Sequence, residues 1–411
     1  MKTLLKTLIC SVIIFSACEK SEIPVQKIEP DFNKSQKLEG INPNFANQAN
    51  AFAFKCFQQL NSTQSNENVV ISPLSIDIAL GMLVNGADGE TANEIKKALQ
   101  KEGFSLEQLN TTYNQLIKGL PIVDPKVRLS IANSVWKEKN FQTKKTFTDM
   151  LINNFDAETN MFDINNKQES IKSINKWVAI NTENKIPTII ETIPDEAVMY
   201  LINALYFKGD WKYKFDPKNT VSSPFFTAID KRARTINLMK QKVNLRTAQS
   251  DNYAAFELPY GNGDYNMTIV LPDNDVSIEN FANEFNLQNW QSLQNNLKES
   301  TEDIALPKFT LDYKTSLNAT LQSLGMKIAF TNKANLSKIS DANGLSVFDV
   351  AHKVSLSVDE AGSEAAAVTS IGIGVTSVPL RNYIVNRAFM VLITEKTSNT
   401  VLFIGKIADL G

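Results

Sequence analysis

The chain has 411 residues, of which 43% are hydrophobic and 21% are charged. This composition is typical of a soluble globular protein with a large core, and the length allows about two or three domains. The 42 basic and 44 acidic residues leave a net charge of -2, so the composition does not indicate nucleic acid as a partner.

The first 18 residues have the pattern of a lipoprotein signal. Lys2 and Lys6 precede a short apolar run at residues 8–15, and two small residues then lead to Cys18. This order is typical of a secretory signal peptide, and the run is too short to span a bilayer. The letters "FSAC" resemble the lipobox of bacterial lipoproteins, in which the cysteine is lipidated. We expect a signal peptide at residues 1–17 and lipid on Cys18, the alternative being a secreted protein with an incidental cysteine.

The segment that follows is polar and contains two prolines. It has too few apolar side chains to offset the entropy of ordering, so we expect residues 18–42 to form a flexible tether. Cys56 is the one cysteine outside the signal and lipidation segment. It lies in an apolar helix-like stretch, which predicts a small buried hydrophobic residue, and a lone thiol excludes a disulfide within the chain.

Residues 43–411 show no break in composition and no repeat, which predicts one domain. Lys96, Lys97 and Lys101 follow a helix-like pattern and are expected to form a solvated helix face. Further along, apolar residues at 171, 174 and 178 recur at the helical period. Residues 197–207 are nearly all apolar, which suits a strand buried on both faces. Residues 265–273 predict another strand, and residues 389–407 predict two strands joined by a polar turn. The fold class is therefore α+β.

The sequence lacks the residues that most catalytic mechanisms require. His352 is the single histidine, which excludes a multi-histidine metal site and makes any serine–histidine–aspartate arrangement depend on it. The chain contains no G-x-S-x-G elbow and no phosphate-binding loop of the G-x-x-x-x-G-K-[ST] type. We predict no catalytic residues, no metal site and no cofactor.

Five segments, in order, resemble the signature stretches of the serpin family. They are "NVVISPLSIDIALGMLVNGADGETANEI" at 68–95, "LINALYFKGDWKYKF" at 201–215, "LPKFTLD" at 306–312, "AHKVSLSVDEAGSEAAA" at 351–367 and "VLFIGKIADL" at 401–410. The resemblance implies a serpin-like single domain with a large central mixed β-sheet, two further sheets, about eight or nine helices and an exposed C-terminal reactive loop. It also implies inhibition rather than enzymatic activity: a protease cuts the loop, forms an acyl-enzyme and is disabled when the loop inserts into the central sheet.

The residues of the loop suit that mechanism. A segment that becomes a central strand needs small side chains on the face that enters the core. Every second residue from Ser363 to Thr369 is small, and no proline lies between residues 358 and 377. By resemblance, the hinge comprises Glu360, Gly362, Ser363, Glu364, Ala365, Ala366 and Ala367.

Two further groups are assigned by resemblance alone. Ser72, Ser75, Asn203 and His352 correspond to the family's polar shutter, where the central strands part. There His352 would control insertion rather than catalyse a reaction. Trp211, Lys308 and Glu360 correspond to the breach, where insertion begins.

The position of the scissile bond depends on the end of the loop from which it is counted. Counting from the hinge places it between Thr376 and Ser377, whereas counting back from the "VNRAF" segment places it between Ser377 and Val378. We choose Thr376 as the residue before the cut, with Val375 as a further alternative. These residues are small or uncharged, which favours the shallow specificity pocket of an elastase-like protease.

The predicted partners are an elastase-like serine protease, with a cysteine protease as an alternative target, and a membrane reached through lipid at Cys18. The protein is expected to be a monomer in the bacterial cell envelope, on the outer membrane or cell surface, or to be secreted. Rival hypotheses are a non-inhibitory serpin, a lipoprotein that binds envelope components, and a hydrolase that uses His352.

Overall fold

Nine α-helices form in the part of the chain that the structure, a computed structural model, describes: residue 38 and residues 40–228, 232–363 and 383–411. They are α1 (Pro43–Thr63), α2 (Pro73–Gly86), α3 (Gly89–Ala98), α4 (Leu106–Gly119), α5 (Lys145–Phe155), α6 (Lys167–Asn181), α7 (Ile278–Glu284), α8 (Leu287–Asn296) and α9 (Asn318–Ser323). Short 3₁₀ helices lie at Leu120–Ile122, Ile164–Asn166, Pro217–Asn219 and Ile328–Phe330. None of the helices in these ranges is both long and apolar enough to cross a membrane.

Local sequence explains where several helices begin. Proline occupies the first helical position of both α1 and α2, where its missing N–H costs no hydrogen bond. The side chain of Ser72 accepts a hydrogen bond from the Ser75 amide and so caps α2. Ser105 and Gln108 cap α4 reciprocally, each side chain accepting from the other's backbone N–H.

Fifteen strands form three hydrogen-bonded sheets among the described residues. The strands are β1 (Val69–Ile71), β2 (Val127–Glu138), β3 (Ala157–Phe162), β4 (Met199–Asp210), β5 (Val221–Phe226), β6 (Ala233–Gln249), β7 (Tyr253–Tyr260), β8 (Tyr265–Pro272), β9 (Lys298–Pro307), β10 (Phe309–Ser316), β11 (Ala351–Val358), β12 (Gly362–Ser363), β13 (Tyr383–Ile384), β14 (Phe389–Glu395) and β15 (Val401–Ile407). The predicted α+β class, the helix number and the mixed sheets are confirmed.

The largest sheet has nine strands in the order β1-β15-β14-β8-β7-β6-β9-β13, with β5 attached to β6. A second sheet has the order β12-β4-β2-β3, and β10 and β11 form a third ladder. The pairs β2–β3 and β13–β9 are parallel, which makes two of the sheets mixed. The predicted strand pair near the end of the chain forms as β14 and β15, antiparallel to each other.

Strand β4 packs on both faces, as its apolar sequence predicts. Ile202 and Ala204 belong to a hydrophobic cluster that includes Ile174 and Val178 of α6. Leu205, on the opposite face, belongs to the main core. Even-numbered residues of β4 therefore face α6, and odd-numbered residues face the main core.

One residue of the predicted basic helix face does not lie where the sequence predicts. Lys101 is not on a solvated helix face: it follows the end of α3 and is fully buried. Its ammonium forms an ion pair with Asp77, accompanied by a 3.1 Å contact with the Tyr113 hydroxyl and a position 4.1 Å from the centre of the Phe45 ring. Burial lowers the pKa of Lys101, although the Asp77 carboxylate opposes that shift. A buried charge requires such a partner, and the partner comes from α2.

The packed part of the chain begins slightly before the predicted boundary at residue 43. Leu38 and Ile41 are 1% and 6% exposed and belong to the main core. The Leu38 side chain lies against Gly119, where an added methyl group would approach its Cδ2 atom to 2.7 Å. The predicted signal peptide and the lipidation site at Cys18 lie outside the described residues. Cys56 is buried, and burial raises the pKa of its thiol to about 12.

Candidate functional site: a gap between two strand edges and its hinge

Two strand edges face the same cavity. Strand β4 pairs with β2 along one side, but on its other side only Asp210 and Gly209 pair with a described strand, β12. Strand β11 pairs with β10 over residues 351–358, and within the described ranges its other edge has no strand partner. A cavity of about 480 Å³ is lined by residues 199–205 of β4 and 351–354 of β11. Both edges therefore present backbone groups that a further strand could pair with.

All four residues assigned to the shutter line this cavity. The Ser72 amide donates a 3.0 Å hydrogen bond to Nε2 of His352, which ties α2 to β11. The imidazole is 5% exposed, and burial lowers the pKa of His352 to about 4. Because Nε2 accepts a hydrogen bond, it must be unprotonated, so the histidine is neutral in this arrangement.

Asn203 lies in the same cavity but has a different partner. Its Nδ2 donates to Oδ1 of Asn133, the residue opposite it on β2, at 2.8 Å. Its own Oδ1 is buried and accepts no hydrogen bond from any described group. The Tyr200 hydroxyl, which also lines the cavity, is likewise buried without a partner there. Buried polar atoms of this kind are uncommon, and a further strand in the cavity could supply the missing partners.

The hinge begins with a tight turn at the end of β11. Oδ1 of Asp359 accepts hydrogen bonds from the amides of Ala361 and Gly362 at 2.9 and 3.3 Å. The Asp359 amide donates to the Gly362 carbonyl at 2.9 Å. These bonds reverse the chain, so that β12 leaves the turn antiparallel to β4.

Gly362 cannot be replaced without strain. Its φ angle is +156°, in a region that favours glycine. A Cβ atom there would also collide with the Gly209 carbonyl oxygen and lie 2.7 Å from Cα of Asp210. The close approach of β12 to β4 therefore requires glycine at this position.

Trp211 binds the hinge through two hydrogen bonds. Its indole Nε1 and its backbone N–H donate 2.8 Å hydrogen bonds to the carbonyls of Asp359 and Ala361. The indole stacks on the Tyr260 ring, with 4.4 Å between the ring centroids. The Tyr260 hydroxyl is 2.8 Å from Oγ of Ser363, so Tyr260 contacts both the breach and the hinge.

The charged residues of the breach also meet at the hinge. Nζ of Lys308 lies 2.9 Å from Oε2 of Glu360, and the Thr220 hydroxyl donates to Oε1 at 2.8 Å. Burial raises the pKa of Glu360, but the hydrogen bonds from Lys308 and Thr220 outweigh it, so the pKa lies below its ordinary value. The hydrogen bond to Glu360 raises the pKa of Lys308.

Several assigned positions lie outside the described residues. These are the hinge residues Glu364, Ala365, Ala366 and Ala367 and the residues around the bond, Val375, Thr376, Ser377 and Val378. Conversely, sequence reasoning does not identify Asn133, Tyr200 or Tyr260. Nothing in the local sequence distinguishes them, because their roles depend on strands that are distant in the chain.

Known proteins resemble this chain over most of its length. The family model described as Serpin (serine protease inhibitor) matches residues 47–410. Serpin B11 of Mus musculus is 32% identical, covering 87% of this chain and 97% of that protein. Leukocyte elastase inhibitor of Xenopus laevis is 30% identical, covering 88% and 98%. The crystal structure of the thermophilic serpin tengpin in its native state has a TM-score of 0.81 at 33% identity, covering 89% and 94%. The residues that the family model matches include the hinge and the gap.

Proposed function

The chain belongs to the serpin family, and from that premise we propose that it inhibits serine proteases as a suicide substrate. The protease serine Oγ attacks the carbonyl carbon of the residue before the cut. The peptide bond to the next residue breaks, its nitrogen leaves as an amine that takes the serine proton, and an ester links loop and protease. Insertion of the loop into the gap between β4 and β11 then distorts the protease before water hydrolyses the ester.

The observation that carries the proposal is the start of an extra strand at the gap. Gly362 and Ser363 already pair with Asp210 and Gly209. Each further step along the loop would move one residue back along β4, so Thr369 would pair with Asn203. The edge of β4 that remains available, residues 199–208, would accept ten more residues, 364–373. The inserted segment would therefore end shortly before the proposed scissile bond, which follows Thr376.

This register also accounts for the small residues in the first part of the loop. Residues directly opposite each other on antiparallel strands point to the same face of the sheet. Odd-numbered residues of β4 face the main core, so Ala365, Ala367 and Thr369 would enter it. These are small side chains, as entry between packed layers requires. The Thr369 hydroxyl would meet Oδ1 of Asn203, which accepts no hydrogen bond from the described residues.

The preference for an elastase-like protease forms part of the proposal. Thr376 is the residue proposed before the cut, with Val375 and Ser377 as alternatives, and none of the three is charged or aromatic. A similar protein from Xenopus laevis carries the name leukocyte elastase inhibitor, which supports this choice. Sequencing the new N-terminus released by the protease distinguishes a cut after Thr376 from one after Ser377.

The test is a gel that detects the covalent complex. The protein is mixed with an elastase-like serine protease and denatured in SDS, and a band at the summed mass is expected. Ala367→Arg places a charge where the register faces the core and should yield cleaved protein with little complex. Glu364→Arg places the same side chain on the other face and serves as the matched control, which should retain the complex. Clean cleavage of the wild type with a fully active protease would contradict inhibition.

We further propose that the mature protein is attached to a bacterial envelope membrane through lipid on Cys18. The support is the basic, apolar and small-residue pattern that ends at Cys18. The full chain expressed in a bacterium should enter the detergent phase on phase separation, whereas the Cys18→Ser variant should remain in the aqueous phase. An aqueous wild type, or no difference between the two, would indicate a secreted protein instead.

A further inference from the structure

A second cavity lies beside the hinge and is lined by basic residues. Its volume is about 690 Å³, within the range of about 300–1,000 Å³ usual for small-molecule sites. The lining lysines are Lys126, Lys212, Lys214 and Lys242, and we call this cavity the basic pocket. Three of them come from separate places in the fold: one precedes β2, one follows β4 and one lies within β6. The folded chain therefore brings together charges that the sequence keeps far apart.

The acidic residues that line the basic pocket already have partners. Asp210 forms a 2.6 Å ion pair with Lys214. Asp216 accepts a 3.0 Å hydrogen bond from the Lys218 amide and caps a short 3₁₀ helix. Each of these carboxylates therefore has a local role in the structure.

The other three lysines of the pocket have no carboxylate within 4 Å among the residues that the structure describes. Acidic groups also lie around the pocket lining: Asp124 accepts a 2.9 Å hydrogen bond from the Lys126 amide, and Asp303 is opposite Lys242 on β9. Burial raises the pKa of Asp264, and the charge of Lys212 opposes that shift. Among the residues that line the pocket itself, four lysines outnumber two carboxylates.

We propose that the basic pocket binds a small oxyanion that carries two or more phosphate or sulfate groups. Ammonium groups bind phosphate oxygens as point charges, and several of them converging on a concave site favour an anion with several charged groups. The half-exposed ring of Tyr213, with Nζ of Lys212 at 5.8 Å from its centre, provides an aromatic wall beside these charges. The proposal does not depend on protease inhibition.

The basic pocket shares a wall with the hinge. Trp211 and Phe215 both line it, and their backbone amides donate to the carbonyls of Ala361 and Glu360 at 2.8 and 2.9 Å. An anion that holds residues 211–216 in this conformation also stabilises the hydrogen bonds that hold the hinge. Binding should therefore raise the temperature at which the described state is lost, because a ligand stabilises the state that it binds.

The test uses the full chain with pyrophosphate as the phosphate probe and a disulfated disaccharide as the sulfate probe, at constant ionic strength. Binding is measured by calorimetric titration, and the unfolding temperature is measured with and without each probe. Lys126→Gln/Lys242→Gln removes two of the pocket's unpaired lysines. Lys118→Gln/Lys333→Gln removes two exposed lysines elsewhere and serves as the matched control.

We expect saturable binding of at least one probe by the wild type and the control, and affinity at least ~10-fold weaker in the pocket variant. A response to one probe alone identifies whether phosphate or sulfate is preferred. The proposal is overturned if neither probe binds, if both variants bind equally, or if sodium chloride at the same ionic strength has the same effect on the unfolding temperature.

Discussion

Lowering the pH should weaken this protein through one buried histidine. Burial lowers the pKa of His352 from the ordinary 6.5 to about 4, and its Nε2 accepts the Ser72 amide hydrogen bond only while unprotonated. The stability contributed by the neutral imidazole is complete above pH 6.5 and is lost as the pH falls towards 4. One pKa unit corresponds to about 1.4 kcal/mol, so the loss should be about 3 kcal/mol.

The assay is urea unfolding at pH 7 and pH 4 for the wild type and for His352→Gln. Glutamine offers an oxygen acceptor to the Ser72 amide but does not titrate, so carboxylates elsewhere affect both proteins equally. The free-energy difference between the two proteins should change by about 3 kcal/mol, with the wild type losing more at pH 4. An equal loss in both proteins would show that His352 does not titrate in this range and that the reasoning is wrong.

Three other substitutions test the hinge and the core. Gly362→Ala should disrupt the pairing of β12, because a Cβ atom collides with the Gly209 carbonyl. Under the proposed inhibition, more molecules of this protein should then be consumed per protease molecule, and an unchanged ratio in a titration against protease would contradict this. Lys308→Gln should change the free energy of unfolding by less than about 1 kcal/mol, because the Lys308 side chain is 46% exposed and its ion pair with Glu360 is therefore weak. A larger loss of stability in urea unfolding would contradict this. Lys101→Met should lower the free energy of unfolding by about 3–5 kcal/mol, because it leaves the Asp77 carboxylate buried without its cation. Asp77→Leu/Lys101→Met should recover most of that stability. A double variant as unstable as the single one would argue against the ion pair.

Much of the fold can be predicted from local sequence, because each prediction rests on neighbouring residues. The apolar run that forms β4 has the length and composition of a doubly buried strand, and the helical spacing of residues 171, 174 and 178 predicts α6. The hinge at Gly362 is predicted by the family resemblance, and glycine has the conformational freedom that a hinge needs. The structure adds the reason that glycine alone fits, which is the close approach of the Gly209 backbone.

What could not be predicted depends on contacts between distant residues. Lys101 follows a helix-like pattern that predicts exposure, but it is buried beside Asp77, a residue of α2 that is distant in the sequence. Tyr260 contacts Ser363 although 103 residues separate them. Asn203 bonds to Asn133 because of strand register, which one sequence does not reveal. Leu38 lies in a polar segment, and its packing against Gly119 has no local signal.

The two residue pairs between β12 and β4 have a kinetic consequence for the proposed inhibition. When two strands are distant in the sequence, the chain between them must close into a loop before any favourable contact forms. The entropy cost of that closure limits the rate at which the strands pair. Here the first two residues are in register before any cut is made. Insertion after cleavage would therefore proceed by adding pairs to an existing end, without a separate nucleation step. The competition between insertion and ester hydrolysis would then be decided by how quickly successive loop residues pair with β4.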